Sequence, residues 1–283
     1  MTDEPRCALD GWRWGVERFR PAFSLFTDPE PIDELHLRGP NSSGKTESIW
    51  AYIFACLRKQ EFLDGVRLPQ WEGPLHAVCL CRDYPQQKLS VQQTVLRISR
   101  GWPCKARYKG DEILSSLRVK PIDGDDGPEW WSQIVFLSED NPESGTGARA
   151  DISWFDEPPV MRILRELRKA PHANRPGIIV IGNTPTEIEK WWELAKDYGE
   201  TERATLRRVD QERAEVRWSL SEVADWIHSP AAKDKLRRKY ANDPLRDARE
   251  HGDYIDASGT CPFDNKALKA MLESAKAGER RAA

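Results

Sequence analysis

The chain has no apolar run near the ~20 residues needed to cross a bilayer, which argues against a membrane-spanning helix. Its N-terminal stretch, MTDEPRCALDGWRWG, lacks the apolar core of a secretory signal. Both absences predict a cytoplasmic protein with no membrane partner. Paired cysteine spacing is missing as well. Cys7, Cys56, Cys79, Cys81, Cys104 and Cys261 form no CxxC and stand near no histidine cluster, which argues against zinc and against a disulfide framework. An excess of positive charge is also absent: 43 Lys and Arg face 46 Asp and Glu, for a formal net charge of -3. The whole molecule is therefore not a basic nucleic-acid binder, and any contact with DNA needs a local patch. No internal repeat marks a solenoid.

What is present suffices for a buried core. With 283 residues, 39% hydrophobic and 31% charged, the chain reads as polar but globular, with one or two domains. Its twelve tryptophans read first as packing residues. Two aromatic clusters, Trp12/Trp14 and Phe19/Phe23/Phe26, precede a predicted strand at 35–38. A glycine-containing turn follows, then a helix with Ile49, Trp50, Ile53, Phe54 and Leu57 on one face. Further strands are expected at 77–81, with Cys79 and Cys81 on one face, and at 134–137, 152–155 and 177–181. A polar helix is expected around 86–99, another from near Glu187, and one at 160–169 with Val160, Ile163, Leu164 and Leu167 in a stripe. Residues 101–131 show no clear period, and 123–127 read as an exposed turn.

This alternation predicts an α/β fold with a mostly parallel sheet and helices on both faces. Residues 203–256 are more charged and read as mostly helical, with 231–240 the clearest helix. The expected organisation is an aromatic segment (1–34) packed on a core (35–200). A helical or linker subdomain (201–264) and a terminal helix with a frayed tail (265–283) would follow.

Gly39-Pro40-Asn41-Ser42-Ser43-Gly44-Lys45-Thr46 fits GxxxxGK[ST]. It follows a predicted strand and opens a predicted helix, as phosphate binding requires. The glycines let successive N–H groups point at phosphate oxygens, and the helix N-terminus adds about half a positive charge. Lys45 would bridge the β- and γ-phosphates of ATP, and Thr46 would hold Mg²⁺ through its hydroxyl. The plainer alternative is a glycine turn with an exposed lysine. Ile152-Ser153-Trp154-Phe155-Asp156-Glu157 is an apolar strand ending in two carboxylates. Asp156 would bind the Mg²⁺ shell, and Glu157 would act as general base on the attacking water. Such acids also serve as helix caps, and Pro158-Pro159 can start a helix. Gly182-Asn183-Thr184-Pro185-Thr186 ends a third strand. Its polar groups either contact the γ-phosphate or cap the next helix.

Together these stretches resemble the ATPase domain of the large terminase subunit of tailed bacteriophages. RGPNSSGKTE is similar to its phosphate loop, GARADISWFDEPP to its second motif and IIVIGNTPTEIEKWW to its coupling motif. YANDPLRDAREHGDYIDASGTCPF is similar to the segment joining motor and nuclease. The resemblance spans roughly residues 32–264. It implies a P-loop NTPase of the additional-strand class, using ATP and Mg²⁺ to drive double-stranded DNA into a preformed capsid. It further implies a homo-oligomeric ring on the portal, a small terminase subunit as partner, and the cytoplasm of an infected bacterial host. Lys45, Thr46, Asp156 and Glu157 take the roles above, and Thr184 the coupling role.

Family members continue into a nuclease. Asp253, Asp256 and Asp264 are too few for a two-metal site, so cleavage is not expected of this chain. A nuclease would be a separate polypeptide or have been removed. Arg149 is the candidate transition-state arginine. It sits at the start of the strand that ends near Asp156, ~17 Å away by strand geometry, so it would serve a neighbouring subunit. The alternative is a surface arginine. Two basic runs, Lys233/Lys235/Arg237/Arg238/Lys239 and Arg203/Arg207/Arg208, either contact DNA phosphates or are solvated faces. The rival functions are another nucleic-acid ATPase of helicase type and a nucleotide-dependent assembly platform with little turnover.

Overall fold

A computed structural model of the chain describes residues 8–9, 12–40, 43–81, 84–110, 112–122, 127, 130–139, 150–169, 177–183, 206–243 and 246–251. The strands are β1 (Glu34–Arg38), β2 (Phe62–Leu63), β3 (Val66–Arg67), β4 (His76–Cys81), β5 (Cys104–Lys109), β6 (Ile113–Val119), β7 (Ser132–Ser138), β8 (Ile152–Phe155), β9 (Ile178–Asn183), β10 (Leu206–Arg208) and β11 (Arg213–Arg217). The helices are α1 (Phe19–Ser24), α2 (Lys45–Leu57), α3 (Tyr84–Leu89), α4 (Val91–Ile98), α5 (Met161–Lys169), α6 (Pro230–Tyr240) and α7 (Arg246–His251). No helix among the described residues is long and apolar enough to cross a membrane.

Nine strands form one sheet in the order β10-β11-β1-β9-β8-β4-β7-β6-β5. From β11 to β7 all neighbours are parallel, while β10 closes one edge antiparallel and β6 and β5 the other. The central strands read as continuous apolar runs because both their faces are covered. One face, with Leu35, Leu37, Cys79, Phe136, Trp154, Val180 and Val216, packs under α2 and α4. The other, with Val78, Leu80, Phe155, Ile179 and Ile181, packs against Ile163, Leu164 and Leu167 of α5.

Four expectations change in the structure. Helix α2 is buried nearly all round rather than on one face: Ala51, Tyr52, Ala55 and Cys56 are as buried as Ile49 and Phe54. The N-terminal aromatics account for this, since Phe23 and Phe26 lie 4.5 and 5.8 Å from the Tyr52 ring, opposite the Trp50–Trp154 stack. The single helix expected near 86–99 is two, α3 and α4, separated at Ser90. The buried Gln92 amide bonds Gln87 and both backbone groups of Leu114, which fixes α4 against β6. Val160 is 47% exposed because α5 begins one residue later.

The largest difference lies in 203–256. Residues 206–208 and 213–217 are strands of the sheet, and β11 sits directly beside β1. The charges of Arg213-Ala214-Glu215-Val216-Arg217 hide this strand from a hydrophobicity reading. Glu215 is fully buried and meets His36 Nδ1 at 3.1 Å and Arg38 Nε at 3.2 Å across the β1–β11 pair. Opposite charges on two adjacent strands thus allow a polar strand inside the sheet. Glu34 on the same face of β1 accepts two 2.6 Å bonds from Arg168, tying α5 to the strand. The unreadable stretch 101–131 holds the β5–β6 hairpin. Strand β5 is an exposed cationic edge, the composition that discourages edge-to-edge pairing and carries no alternation. The helix expected near Glu187 lies outside the described residues.

Candidate nucleotide site

Strand β1 delivers the chain at Arg38 to the loop that begins with Gly39, and α2 starts six residues further on. Gly44 adopts φ 82°, a left-handed conformation that favours glycine, and its carbonyl accepts the first helical bond from Ser48 at 2.9 Å. The Lys45 side chain does not extend into solvent. It is 9% exposed, and its ammonium donates to the carbonyls of Gly39 (3.0 Å) and Pro40 (2.7 Å). The Trp218 ring, just past β11, packs beside Gly39 and lies 5.7 Å from the Lys45 nitrogen. Burial pushes the Lys45 pKa down to about 7, while the charges of Asp156 and Glu157 pull it back up.

The second half of the site lies where β8 ends. The Thr46 hydroxyl donates to the Asp156 carboxylate at 2.7 Å, a contact between residues 110 positions apart. Burial pushes the Asp156 pKa up to about 6. The Thr46 bond opposes that rise, Glu157 adds to it and Lys45 opposes it. Glu157 is half-buried next to Asp156. Strand β9 runs between β1 and β8, with Asn183 opposite Arg38 and Ile181 opposite Phe155. Its Gly182 admits a close approach: a Cβ there would stand 2.9 Å from the Asp156 carbonyl oxygen and 3.3 Å from Ile49 Cδ1.

Gly39, Pro40, Ser43, Gly44, Lys45 and Thr46 therefore form one loop and helix start, and the fold brings Asp156 and Glu157 to it. The burial of Lys45 is not what a turn with an exposed lysine would give. The Asp156 carboxylate is engaged by Thr46, which distinguishes it from a simple cap of α5. Asn41, Ser42, Arg149 and Thr184 lie outside the described residues, as do Asp253, Asp256 and Asp264. Trp218 and the close approach at Gly182 were not foreseen. A tryptophan amid twelve gives no positional signal, and a tight interstrand contact leaves no local pattern. The basic runs are only partly available. Lys233 is buried on Asp225 (2.8 Å), and Arg237 pairs with Asp234 and Glu250. Arg207 faces Glu215 and Arg208 faces Asp28. Lys235, Arg238 and Lys239 remain exposed on α6 at helical spacing.

A hydroxyl and a carboxylate bonded to one another at a helix N-terminus are hard oxygen donors of the kind Mg²⁺ takes when phosphates complete its shell. The residues present thus fit Mg²⁺-nucleotide. The strand order, with an extra strand between the loop strand and the carboxylate strand, is that of a P-loop NTPase of the additional-strand class.

Within that class the fold is the one seen in phage terminases. No protein-family model matches the chain. The curated proteins likewise offer no match. Among solved structures, the large terminase of a thermophilic bacteriophage in complex with ADP superposes with a TM-score of 0.61 at 12% identity, covering 85% of this chain and 54% of that one. The large terminase ATPase domain of Thermus phage P74-26 gives 0.54 at 14%, covering 86% and 100%. The HK97 bacteriophage large terminase gives 0.52 at 14%, covering 87% and 51%. The chain therefore spans about half the length of the full-length large terminases it matches and the whole of an ATPase domain. At such identities the likeness establishes the fold.

Proposed function

We propose that the chain is an Mg²⁺-dependent ATPase acting as the motor domain of a large terminase, moving double-stranded DNA into a preformed capsid. The observation that carries the reading is the 2.7 Å contact of Thr46 with Asp156 beside a buried Lys45, on a fold shared with terminase ATPase domains. Lys45 exchanges its two loop carbonyls for the β- and γ-phosphates. Thr46 and Asp156 hold Mg²⁺, which when bound neutralises phosphate charge. Glu157 takes the proton of the attacking water as its oxygen bonds to phosphorus and the bond to ADP breaks. Beyond Asn183, Thr184 reports the state of the γ-phosphate to the chain that follows. Arg149 serves the site of an adjacent subunit in a ring on the portal, and a small terminase subunit recognises the genome.

The test is phosphate release with Mg²⁺-ATP, alone and with double-stranded DNA and portal-bearing capsids. Turnover that rises with DNA and disappears in a folded Lys45→Ala variant is the expected result. Near-normal turnover by that variant would remove the nucleotide-site assignment. Turnover indifferent to DNA and capsids would leave an ATPase and remove the motor. Arg149→Ala and Glu157→Gln, each inactive alone, should regain activity when mixed under assembling conditions. No recovery in assembled mixtures returns Arg149 to an ordinary surface residue.

A further inference from the structure

A cavity of about 540 Å³ opens beside the carboxylate half of the site, lined by Thr46, Leu89, Ser90, Gln93, Thr94 and Arg97. Thr46 is the residue bonded to Asp156, so the cavity and the phosphate-and-metal site share a wall. The lining offers three hydroxyls, one amide and one guanidinium, and no carboxylate. Hydrogen-bond donors around a single cation select an oxyanion. Helix α4 is held by buried Val91, Gln92, Val95 and Ile98, which leaves Gln93 and Arg97 facing outward and half-buried Thr94 at the boundary.

Arg97 already has an anionic partner close by. Its Nη2 lies 3.0 Å from Glu47 Oε2, with a longer 3.5 Å contact from Nη1 to Oε1. Glu47 follows Thr46 in the first turn of α2. The Arg97 side chain is 60% exposed, so water screens the pair and its guanidinium can be exchanged at little cost. A terminal phosphoryl group carries more charge than a carboxylate and offers the same fork of acceptor oxygens to a guanidinium.

We infer that this cavity is an oxyanion subsite on the γ-phosphate side, and that Arg97 leaves Glu47 for the terminal phosphoryl group as charge builds there. The inference rests on the ATPase reading and adds to it a positive charge supplied from within the same chain, independent of Arg149. Glu47 parks Arg97 in the absence of that charge. Ser90, Gln93 and Thr94 are the neutral donors of the same subsite.

Three variants test this: Arg97→Gln, Arg97→Lys and Glu47→Gln. Each is assayed for phosphate release and, by calorimetry, for binding of Mg²⁺-ADP and Mg²⁺-ADP-vanadate. For Arg97→Gln, kcat should fall roughly 10²-fold with little change in KM, as for loss of one oxyanion donor. Vanadate-complex affinity should fall with it while ADP affinity stays put. Arg97→Lys should recover part of both, and Glu47→Gln should keep wild-type turnover. Equal losses in Arg97→Gln and Glu47→Gln would reduce the pair to a helix-to-helix tie and overturn the proposal. Unchanged kcat and vanadate affinity in Arg97→Gln would overturn it alone. A wild-type chain that binds no ADP would take the ATPase reading down with it.

Discussion

The two halves of the candidate nucleotide site contain opposite charges that the same burial drives in opposite directions. In the loop half, a lysine ammonium loses water and its pKa falls to about 7. In the carboxylate half, an aspartate loses water and its pKa rises to about 6. Each charge partly rescues the other, and neither is fully compensated. The halves also differ in origin. The loop half is a contiguous segment that would curl in a similar way in any chain with a strand before it and a helix after it. The carboxylate half exists only because β9 and β8 are laid beside β1 in that order. On the proposed reading, a site so divided suits a ligand that brings both phosphate charge and a divalent cation.

The largest effect that would sharpen this comparison is expected at Glu157. Glu157→Gln keeps the shape but removes the base, so hydrolysis should drop by ~10²–10⁴ while ATP binding persists. Wild-type hydrolysis by this variant would show that the carboxylate half works without it. Asp156→Asn comes next. It removes the charge facing Thr46, and loss of a charge-assisted contact of about 1.5–3 kcal/mol should weaken Mg²⁺-ATP binding roughly 10- to 100-fold. Titration calorimetry with and without Mg²⁺ reads it, and equal losses in both arms would contradict a metal role.

A smaller effect is structural. Gly182→Ala places a methyl 2.9 Å from the Asp156 carbonyl, so β8 and β9 must shift. About 1–3 kcal/mol of stability should be lost, as for overpacking, with turnover falling in parallel. An unchanged melting temperature would mean that the two strands separate freely there.

The last comparison concerns the pH dependence of stability without nucleotide. For Lys45, the native pKa of about 7 lies below the ordinary lysine value of 10.5, so between them the unfolded chain holds the extra proton. Stability therefore rises with pH through that window, and the destabilisation is complete below about 7. For Asp156, the native pKa of about 6 lies above 3.8, so the native chain holds the extra proton and stability falls as pH climbs from 3.8 through about 6. Denaturation midpoints should pass through a minimum between about pH 6 and about pH 7. The double variant Lys45→Met, Asp156→Asn should flatten it. A minimum that persists unchanged would assign the pH dependence to other groups.

Much of this site is legible in the order of residues. GPNSSGKT announces its own geometry because glycine placement and the start of a helix are local matters. The strand of Ile152–Phe155 is visible because a central parallel strand is apolar on both faces, and its trailing carboxylates stand out against that run. Strand β11 is invisible for the complementary reason. Its buried Glu215 is met by Arg38 and His36 on a strand far away in sequence, so nothing nearby marks it as buried. The cationic edge β5 hides for the opposite reason, since it is exposed along nearly its whole length and so shows no alternation. Helix α2 showed one apolar face, and only the fold of the N-terminal aromatics over Tyr52 buried the other.

The sequence by itself determined the loop, its helix, the acidic pair and the alternation that requires a parallel sheet, because each depends on spacing within a few turns of chain. Only the tertiary structure decided that β9 enters between β1 and β8, that Thr46 and Asp156 meet at 2.7 Å, and that Trp218 and Arg97 flank the same site. Those contacts join segments far apart in the chain. Strand order, set by how the apolar faces of the whole sheet are covered, selects them, and no local pattern encodes it.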